Sequence, residues 1–146
     1  MPPRKTLRPK TLRPTLHPIG VIRSTIKERS QAPMQGYEGA PDAWLEVTPA
    51  VAPGLDRLCV GDEIIVLTWL HRASRDVLQV YPRSKRQLGL HGVFATRSPD
   101  RPNPVGLHRA TIREITGNKL LIGPIEVIDG TPVIDIKPVL AKHDDF

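Results

Sequence analysis

The most unusual segment of the chain, residues 92–107, reads GVFATRSPDRPNPVGL. Three prolines within six residues stiffen its backbone, because each locks φ and lacks an N–H donor. Polar side chains on such a backbone are already positioned for a ligand, so Arg97, Arg101 and Asn103 are candidate binding residues. Two guanidinium groups can hold carboxylate or phosphate in bidentate fashion. The alternative is a proline-locked loop whose arginines pair with Asp100 and the nearby backbone.

A second segment with chemical potential is residues 128–138, IDGTPVIDIKP. Its Asp-Gly pair is typical of a hairpin turn. Strand alternation after the turn predicts one face with Val133, Asp135 and Lys137 and another with Ile134 and Ile136. Asp135 and Lys137 would then point the same way, as an acid and a cation at a pocket mouth. Alternatively they form an exposed ion pair worth about 0–1 kcal/mol.

The histidines of the chain allow weaker interpretations. His71 precedes Arg72 directly after a long apolar run, where a histidine is more often structural than a ligand. A metal hydrolase could use His91, His108 or the terminal residues 143–145. Their spacing matches no known zinc motif such as HExxH, so we expect no metal.

These segments must be positioned by short strands, since 16 Pro and 11 Gly interrupt long helices. No segment has a sustained helical period, and no strand–GxGxxG–helix unit exists, which argues against a Rossmann fold. We therefore predict a mainly β fold, a small closed or nearly closed β barrel with short helical turns. The predicted strands are 19–25, 44–47, 63–70, 76–81, 93–95, 105–115, 120–122, 125–128 and 133–137, with a short helix at 55–58 and a long loop at 31–42.

Charge divides the chain into an arm and one domain. Residues 1–17 contain a KTLRP repeat and five cations without an acid, whereas the formal charge of the whole chain is only +6. We predict a basic, proline-rich N-terminal arm over residues 1–17 and a single barrel domain over 18–146. The arm is either a tail without function or an electrostatic contact for RNA phosphates.

Cysteine and hydropathy patterns indicate the compartment. The single Cys59 cannot form an internal disulfide, and no apolar run is long enough for a secretory signal or a membrane span. We expect a cytoplasmic protein that does not contact membranes.

The strings GVFATRSP-x-RPNP-x-GL and DGTP-V-x-DIKP, with an opening IGVIRS, closely resemble the signature of the TrmO (TsaA-like) family over residues 18–138. The resemblance implies a β-barrel homodimer that uses S-adenosylmethionine. It also implies N-methylation of threonylcarbamoyl-adenosine beside the anticodon of tRNA. Position 139 departs from the family, because Val139 stands where a tyrosine is usual, so a base-stacking role there is not expected.

Residue by residue, the resemblance implies a set of contacts to the methyl donor. Pro33, Met34 and Gln35 correspond to a proline–arginine–glutamine turn, with Met34 in place of the arginine. The remaining implied donor contacts are His71, Arg72, Arg97, Leu107, Asp129, Gly130 and Thr131. Arg101 and Asn103 are predicted to bind substrate, and Asp135 and Lys137 to act in catalysis.

We therefore expect an S-adenosylmethionine-dependent tRNA methyltransferase. Two other classes remain open. One is a barrel that binds the donor as a sensor without transferring its methyl group. The other is a non-catalytic RNA-binding barrel, although six aromatic residues offer little stacking surface.

Overall fold

A computed structural model describes residues 12–29 and 39–141 of the chain. Its described strands are β1 (Gly20–Arg23), β2 (Ala43–Val47), β3 (Glu63–Trp69), β4 (Gln79–Val80), β5 (His91–Gly92), β6 (Val105–Thr116), β7 (Lys119–Gly123) and β8 (Pro132–Pro138). The described 3-10 turns are Pro49–Leu55, Pro82–Ser84, Arg86–Leu88 and Val93–Ala95.

Six of these strands close into a barrel in the order β1-β2-β7-β6-β3-β8, while β4 and β5 form a separate two-stranded sheet. This confirms the predicted mainly β barrel. The core is an apolar interior of alternating side chains such as Ile22, Leu45, Ile64 and Ile112, each fully buried. No helix in the described parts of the chain is long and apolar enough to cross a membrane.

All neighbouring strands of the barrel are antiparallel, so successive connections between strands lie at opposite ends of the barrel. Residues 24–42, 70–104 and 124–131 connect strands at one end, which we call the loop end. The opposite end carries the Pro49–Leu55 turn, residues 117–118 and the outer ends of β1 and β8. The proline-rich segment and the Asp-Gly turn therefore lie at the same end of the barrel.

The long apolar run of β3 has one buried face and one half-buried face. Ile64, Val66 and Thr68 point inward and are fully buried, whereas Ile65, Leu67 and Trp69 between them are only partly covered. The run is thus apolar for two reasons: it fills the core, and it lays an apolar stripe on the outside of the barrel.

The predicted alternation along β8 is wrong at one residue. Leu67 pairs with Asp135 but Thr68 pairs with Val133, so a bulge leaves Ile134 without a partner on β3. Because an extra residue reverses the pattern of faces, Val133 is fully buried while Asp135 lies outside. Asp135 and Lys137 do share a face, as predicted, but Val133 does not share it.

Four local predictions need correction. Residues 93–95 form a 3-10 turn, since the Thr96 amide donates to the Val93 carbonyl at 3.0 Å. Only Gln79–Val80 of the predicted 76–81 strand pairs. The helical turn lies at Pro49–Leu55 rather than 55–58.

The fourth concerns residues 125–128, which form no strand. Ile125 and Val127 are almost fully buried and plug the loop end of the barrel. Apolar residues between two turn signals predict a strand here, but the Ile125 amide donates to the Pro41 carbonyl rather than to a barrel strand. An extended plug and a strand give the same apolar pattern.

Candidate functional site

The Asp129–Thr131 turn is held against the segment that follows β1. The Asp129 carboxylate accepts a hydrogen bond from the Ser24 amide at 3.0 Å and pairs with Lys27 Nζ at 3.1 Å. These contacts, the Ser24 amide foremost, lower the pKa of Asp129 below its ordinary value. Gly130 has φ +83°, a conformation that side chains rarely adopt. Buried Thr131 donates from Oγ1 to the Ile128 carbonyl at 2.6 Å, which closes the turn.

The same segment after β1 also binds the His71-Arg72 pair. Arg72 Nη1 donates to the Lys27 carbonyl at 3.1 Å, so Lys27 contacts both this pair and Asp129. Partial burial and, to a lesser extent, the Arg72 charge lower the pKa of His71. Its imidazole is therefore neutral at neutral pH.

The proline-rich segment is pinned by side chains as well as by prolines. Asp100 accepts from the Ser74 amide at 2.8 Å and from the Arg29 guanidinium at 3.2 Å. The acid thus pairs with Arg29, across the loop end, and not with the arginines nearest to it in sequence. Segment 24–29 consequently touches the 70–76 loop, the 96–104 loop and the 128–131 turn.

The predicted substrate residues have internal partners in this structure. Arg101 donates to the Val93 and Thr96 carbonyls, the latter at 3.2 Å from Nη2. Asn103 Oδ1 accepts from Arg75 at 3.1 Å. Arg97 is different: it is exposed, and its side chain has no hydrogen bond or ion pair to any described residue.

Three predicted residues lie apart from the loops, on the outside of the barrel wall. These residues are Leu107, Asp135 and Lys137. Leu107 and Asp135 both pair with Leu67, so Leu107, Leu67 and Asp135 form one row across β6, β3 and β8. Leu107 is 48% exposed. Asp135 pairs with Lys137 at 3.1 Å, both side chains being substantially exposed. The structure thus places the predicted site residues in two groups, one at the loop end and one on this outer wall.

Pro33, Met34 and Gln35 lie outside the described residues, as do residues 1–11 of the arm and 143–145 of the metal alternative. Within residues 12–29 and 39–141, no three His, Cys, Asp or Glu side chains come close enough to hold a metal ion. His91 Nδ1 instead lies 2.9 Å from the Gly89 carbonyl oxygen.

Sequence reasoning missed a buried polar chain inside the barrel. His108 Nε2 lies 2.7 Å from Thr68 Oγ1, and its Nδ1 lies 2.8 Å from Glu126 Oε1. His108 is 5% exposed and Thr68 is fully buried. The network ties the barrel wall to the plug that leads into the Asp129 turn. The alternation of β6, which turns His108 inward with Ala110, was the available signal. For Lys27 no such signal exists.

Two open clefts of about 310 Å³ each lie at the opposite end of the barrel. One is bordered by Gly20, Glu46 and Lys119, and the other by Leu55, Asp56 and Asp135. The second is bordered by Asp56 and by Asp135, whose carboxylate is already paired with Lys137, so no cation is left there for an anionic ligand group. The cationic loop end is electrostatically better suited to hold a carboxylate or phosphate.

The family model for the tRNA-methyltransferase O (TrmO) N-terminal domain matches residues 21–145. The chain belongs to this TrmO N-terminal domain family. Its similarity to solved structures agrees: a crystal structure of TrmO from Pseudomonas aeruginosa superposes with a TM-score of 0.71 at 30% identity, covering 92% of this chain. This chain spans only 60% of that TrmO chain.

Archaeal relatives of the TrmO N-terminal domain are more similar in sequence. A probable S-adenosyl-L-methionine-binding protein of Methanothermobacter thermautotrophicus is 45% identical, covering 90% of this chain and 93% of the relative. An S-adenosyl-L-methionine-binding protein of Archaeoglobus fulgidus is 42% identical, covering 88% and 91% respectively. The chain therefore belongs to a domain family whose archaeal relatives are named for binding this methyl donor.

Proposed function

We propose that this chain is an S-adenosylmethionine-dependent methyltransferase that modifies the exocyclic nitrogen of threonylcarbamoyl-adenosine beside the anticodon of tRNA. Its membership of the TrmO N-terminal domain family supports this class of reaction. The observation that carries the proposal is the convergence at the loop end. There, segment 24–29 joins the His71-Arg72 pair, the proline-rich loop and the Asp129–Thr131 turn.

The described residues have the chemistry that S-adenosylmethionine requires. Its carboxylate needs a cation, and Arg97 has no described partner to compete for it. Its positive sulfur is favoured by the Asp129 carboxylate and is not repelled by neutral His71. Its purine needs an apolar wall, which exposed Leu107 supplies.

The residues proposed to hold the donor are Pro33, Met34, Gln35, His71, Arg72, Arg97, Leu107, Asp129, Gly130 and Thr131. When bound, S-adenosylmethionine supplies an electrophilic methyl group. Alignment of the acceptor nitrogen is then the main task of the protein. The acceptor nitrogen is a poor nucleophile because its lone pair is delocalised into the carbamoyl group.

We propose that Asp135 accepts the proton of that nitrogen while Lys137 offsets negative charge on the carbamoyl oxygen. Their ion pair is exposed, so a substrate can reach both groups. Arg101 and Asn103 are proposed to contact the tRNA after exchanging their internal partners. The basic arm at residues 1–17 is proposed to contact RNA phosphates, and this contribution to RNA affinity should fall as the salt concentration rises.

A homodimer is proposed from the outer wall. Ile65, Leu67, Trp69, Val105 and Leu107 form an apolar stripe across β3 and β6. The Glu63–Arg109 pair flanks it with opposite charges, and the Asp135–Lys137 pair lies at its β8 edge. A two-fold axis can place such a surface against itself, acid to base, which makes a second copy the suitable occupant. It can also bring a second loop end near Asp135 and Leu107, the two parts of the site that one chain leaves apart.

A sensor without transferase activity is the second candidate, because the two archaeal relatives are named only for binding the donor. Val139 in place of the usual tyrosine favours it too. The same loop end would then hold S-adenosylmethionine without transfer. Either activity is proposed to occur in the cytoplasm, where exposed Cys59 remains reduced.

The deciding experiment incubates the purified chain with labelled S-adenosylmethionine and total tRNA from a strain lacking the modification. Digestion then identifies the labelled nucleoside. We expect methylated threonylcarbamoyl-adenosine. The Asp135→Asn variant should bind the donor normally and lose single-turnover activity. Donor binding without any methylated nucleoside would support the sensor, and unchanged turnover in Asp135→Asn would exclude its role as base.

A further inference from the structure

The strands β4 and β5 and their connection form a ribbon over residues 78–95 that lies outside the barrel sheet. The two strands pair through Gln79 with Gly92 and Val80 with His91. None of residues 78–92 is buried. An extension this exposed contributes little to the core, so its composition reflects another constraint.

The base of the ribbon is firmly anchored. Val93 is 1% exposed, and its amide donates to the Leu78 carbonyl at 2.9 Å while its carbonyl accepts from Arg101. The next residue, Phe94, is 81% exposed. The 3-10 turn Val93–Ala95 thus buries one side chain and holds an aromatic ring in solvent beside it. The faces of an aromatic ring held in water in this way are available for stacking with a ligand.

The charge of the ribbon has one sign. From residue 77 to 99 the sequence has Arg83, Lys85, Arg86 and Arg97 but no Asp or Glu. Arg86 stacks over the ring of Tyr81 at 5.1 Å from its centroid. The ribbon therefore carries two exposed aromatic groups among cations, the combination with which proteins hold unpaired nucleotides.

We propose that this ribbon binds unpaired nucleotides of an RNA loop, an inference that rests on the proposed function and names where its substrate docks. Phe94 and the Tyr81–Arg86 stack face bases, and Lys85 contacts phosphate. The ribbon leads directly into Arg97 and the loop end, so an RNA held there lies next to the candidate site. A second copy is the less suitable occupant, because a two-fold contact through this ribbon would oppose cations to cations.

The test is fluorescence anisotropy with a fluorescein-labelled RNA hairpin carrying an unpaired loop, and with a fully paired duplex of the same length. Phe94→Ala should weaken binding to the hairpin about tenfold, as expected for loss of one base stack, and should hardly change binding to the duplex. Lys85→Gln should lower the slope of log affinity against log salt by about 0.7.

Matched controls lie at the opposite end of the barrel. Val60→Ala removes an apolar group that is 61% exposed, and Lys119→Gln removes a cation at the start of β7. Both should bind the hairpin like the unaltered chain. The proposal is overturned if Phe94→Ala and Lys85→Gln behave like these controls, or if Phe94→Ala instead dissociates a dimer in sedimentation.

Donor binding separates this proposal from the one it rests on. In calorimetry Phe94→Ala should bind S-adenosylmethionine as the unaltered chain does. If the unaltered chain binds no donor, the proposed function fails, whereas the effect of Phe94 on the hairpin is still measured. If it binds and transfers methyl groups but the hairpin is insensitive to the ribbon, only the present proposal fails.

Discussion

Arginines within the same proline-rich segment differ in the partners that they have in the structure. Arg101 donates to backbone carbonyls within its own loop, whereas Arg97 has no partner among the described residues. A guanidinium without an internal partner loses no hydrogen bond within the protein when it binds an anion. Arg97 is therefore the residue on which the donor proposal can be tested most cleanly.

Arg97→Ala should weaken S-adenosylmethionine binding by about tenfold or more in calorimetry, because a charge-assisted pair to the carboxylate is lost. Thermal stability should stay the same, since Arg97 makes no hydrogen bond or ion pair to residues 12–29 or 39–141 that the change would remove. Arg113→Ala is the control, an exposed arginine on β6 that lies 3.8 Å from Asp42. Affinity equal to that of the unaltered chain would remove Arg97 from the donor site.

Asp129 gives a pH-dependent prediction. Its lowered pKa means that the folded state favours the carboxylate, so this stabilisation is present above the ordinary value of about 3.9 and is lost as pH falls below it. Asp129→Asn keeps an oxygen for the Ser24 amide but loses the charge opposite Lys27. We expect about 1 kcal/mol less unfolding free energy at pH 7.

This difference in unfolding free energy between the unaltered chain and Asp129→Asn is measured by urea unfolding from about pH 3 to about pH 7, in steps of about one pH unit. The gap should be constant down to about pH 5 and should close below about pH 4. A gap that widens on acidification would contradict the assigned direction. Glu114→Gln, at an exposed position on β6, should show no comparable gap.

At the scale of elements, the Arg101 clamp should control the order of the ribbon base. Arg101→Ala removes donors to the Val93 and Thr96 carbonyls. We expect about 1–3 kcal/mol of lost stability and faster amide hydrogen exchange over residues 93–97. Exchange in β3 and β6 should change only through global unfolding. Unchanged exchange at the ribbon base would show that the prolines alone hold this loop.

Elements with a strong alternating pattern could be predicted from sequence, and those set by long-range contacts could not. The barrel strands β1, β2, β3, β6 and β7 are runs of apolar and β-branched residues bounded by turn residues. The 125–128 plug has the same composition, but its Ile125 amide donates to the Pro41 carbonyl. The β8 bulge depends on register with β3, which no local pattern encodes.

The candidate site shows the same division. Its turn residues, such as Asp129 and Gly130, were evident because turn chemistry is local. The contacts of Lys27 and Arg29 at the loop end join residues distant in sequence, so they became visible only in the fold. The sequence shows His108 as a histidine on a predicted strand, but it does not show its hydrogen-bond partners. These are Thr68 on another strand and Glu126 in the plug.

At the scale of the whole molecule, the outer stripe predicts self-association. Leu67→Arg places a charge at the centre of the stripe and should convert a dimer into a monomer in sedimentation equilibrium. Ile115→Arg is the control, because Ile115 is 36% exposed near the far end of β6. A monomeric unaltered chain, or a dimer in Leu67→Arg, would contradict this interface.

The position at which the polypeptide leaves the barrel determines how the chain can be attached to a surface. Ile19 precedes β1 and Val139 follows β8, where its amide donates to the Glu63 carbonyl at 3.0 Å. Val139 lies at the opposite end of the barrel from the 70–104 and 124–131 connections. A biosensor chip that captures the chain through the residues that follow Val139 would therefore leave those connections facing the flowing sample. Immobilised kinetics with RNA or small molecules can thus be recorded without steric shielding by the tether.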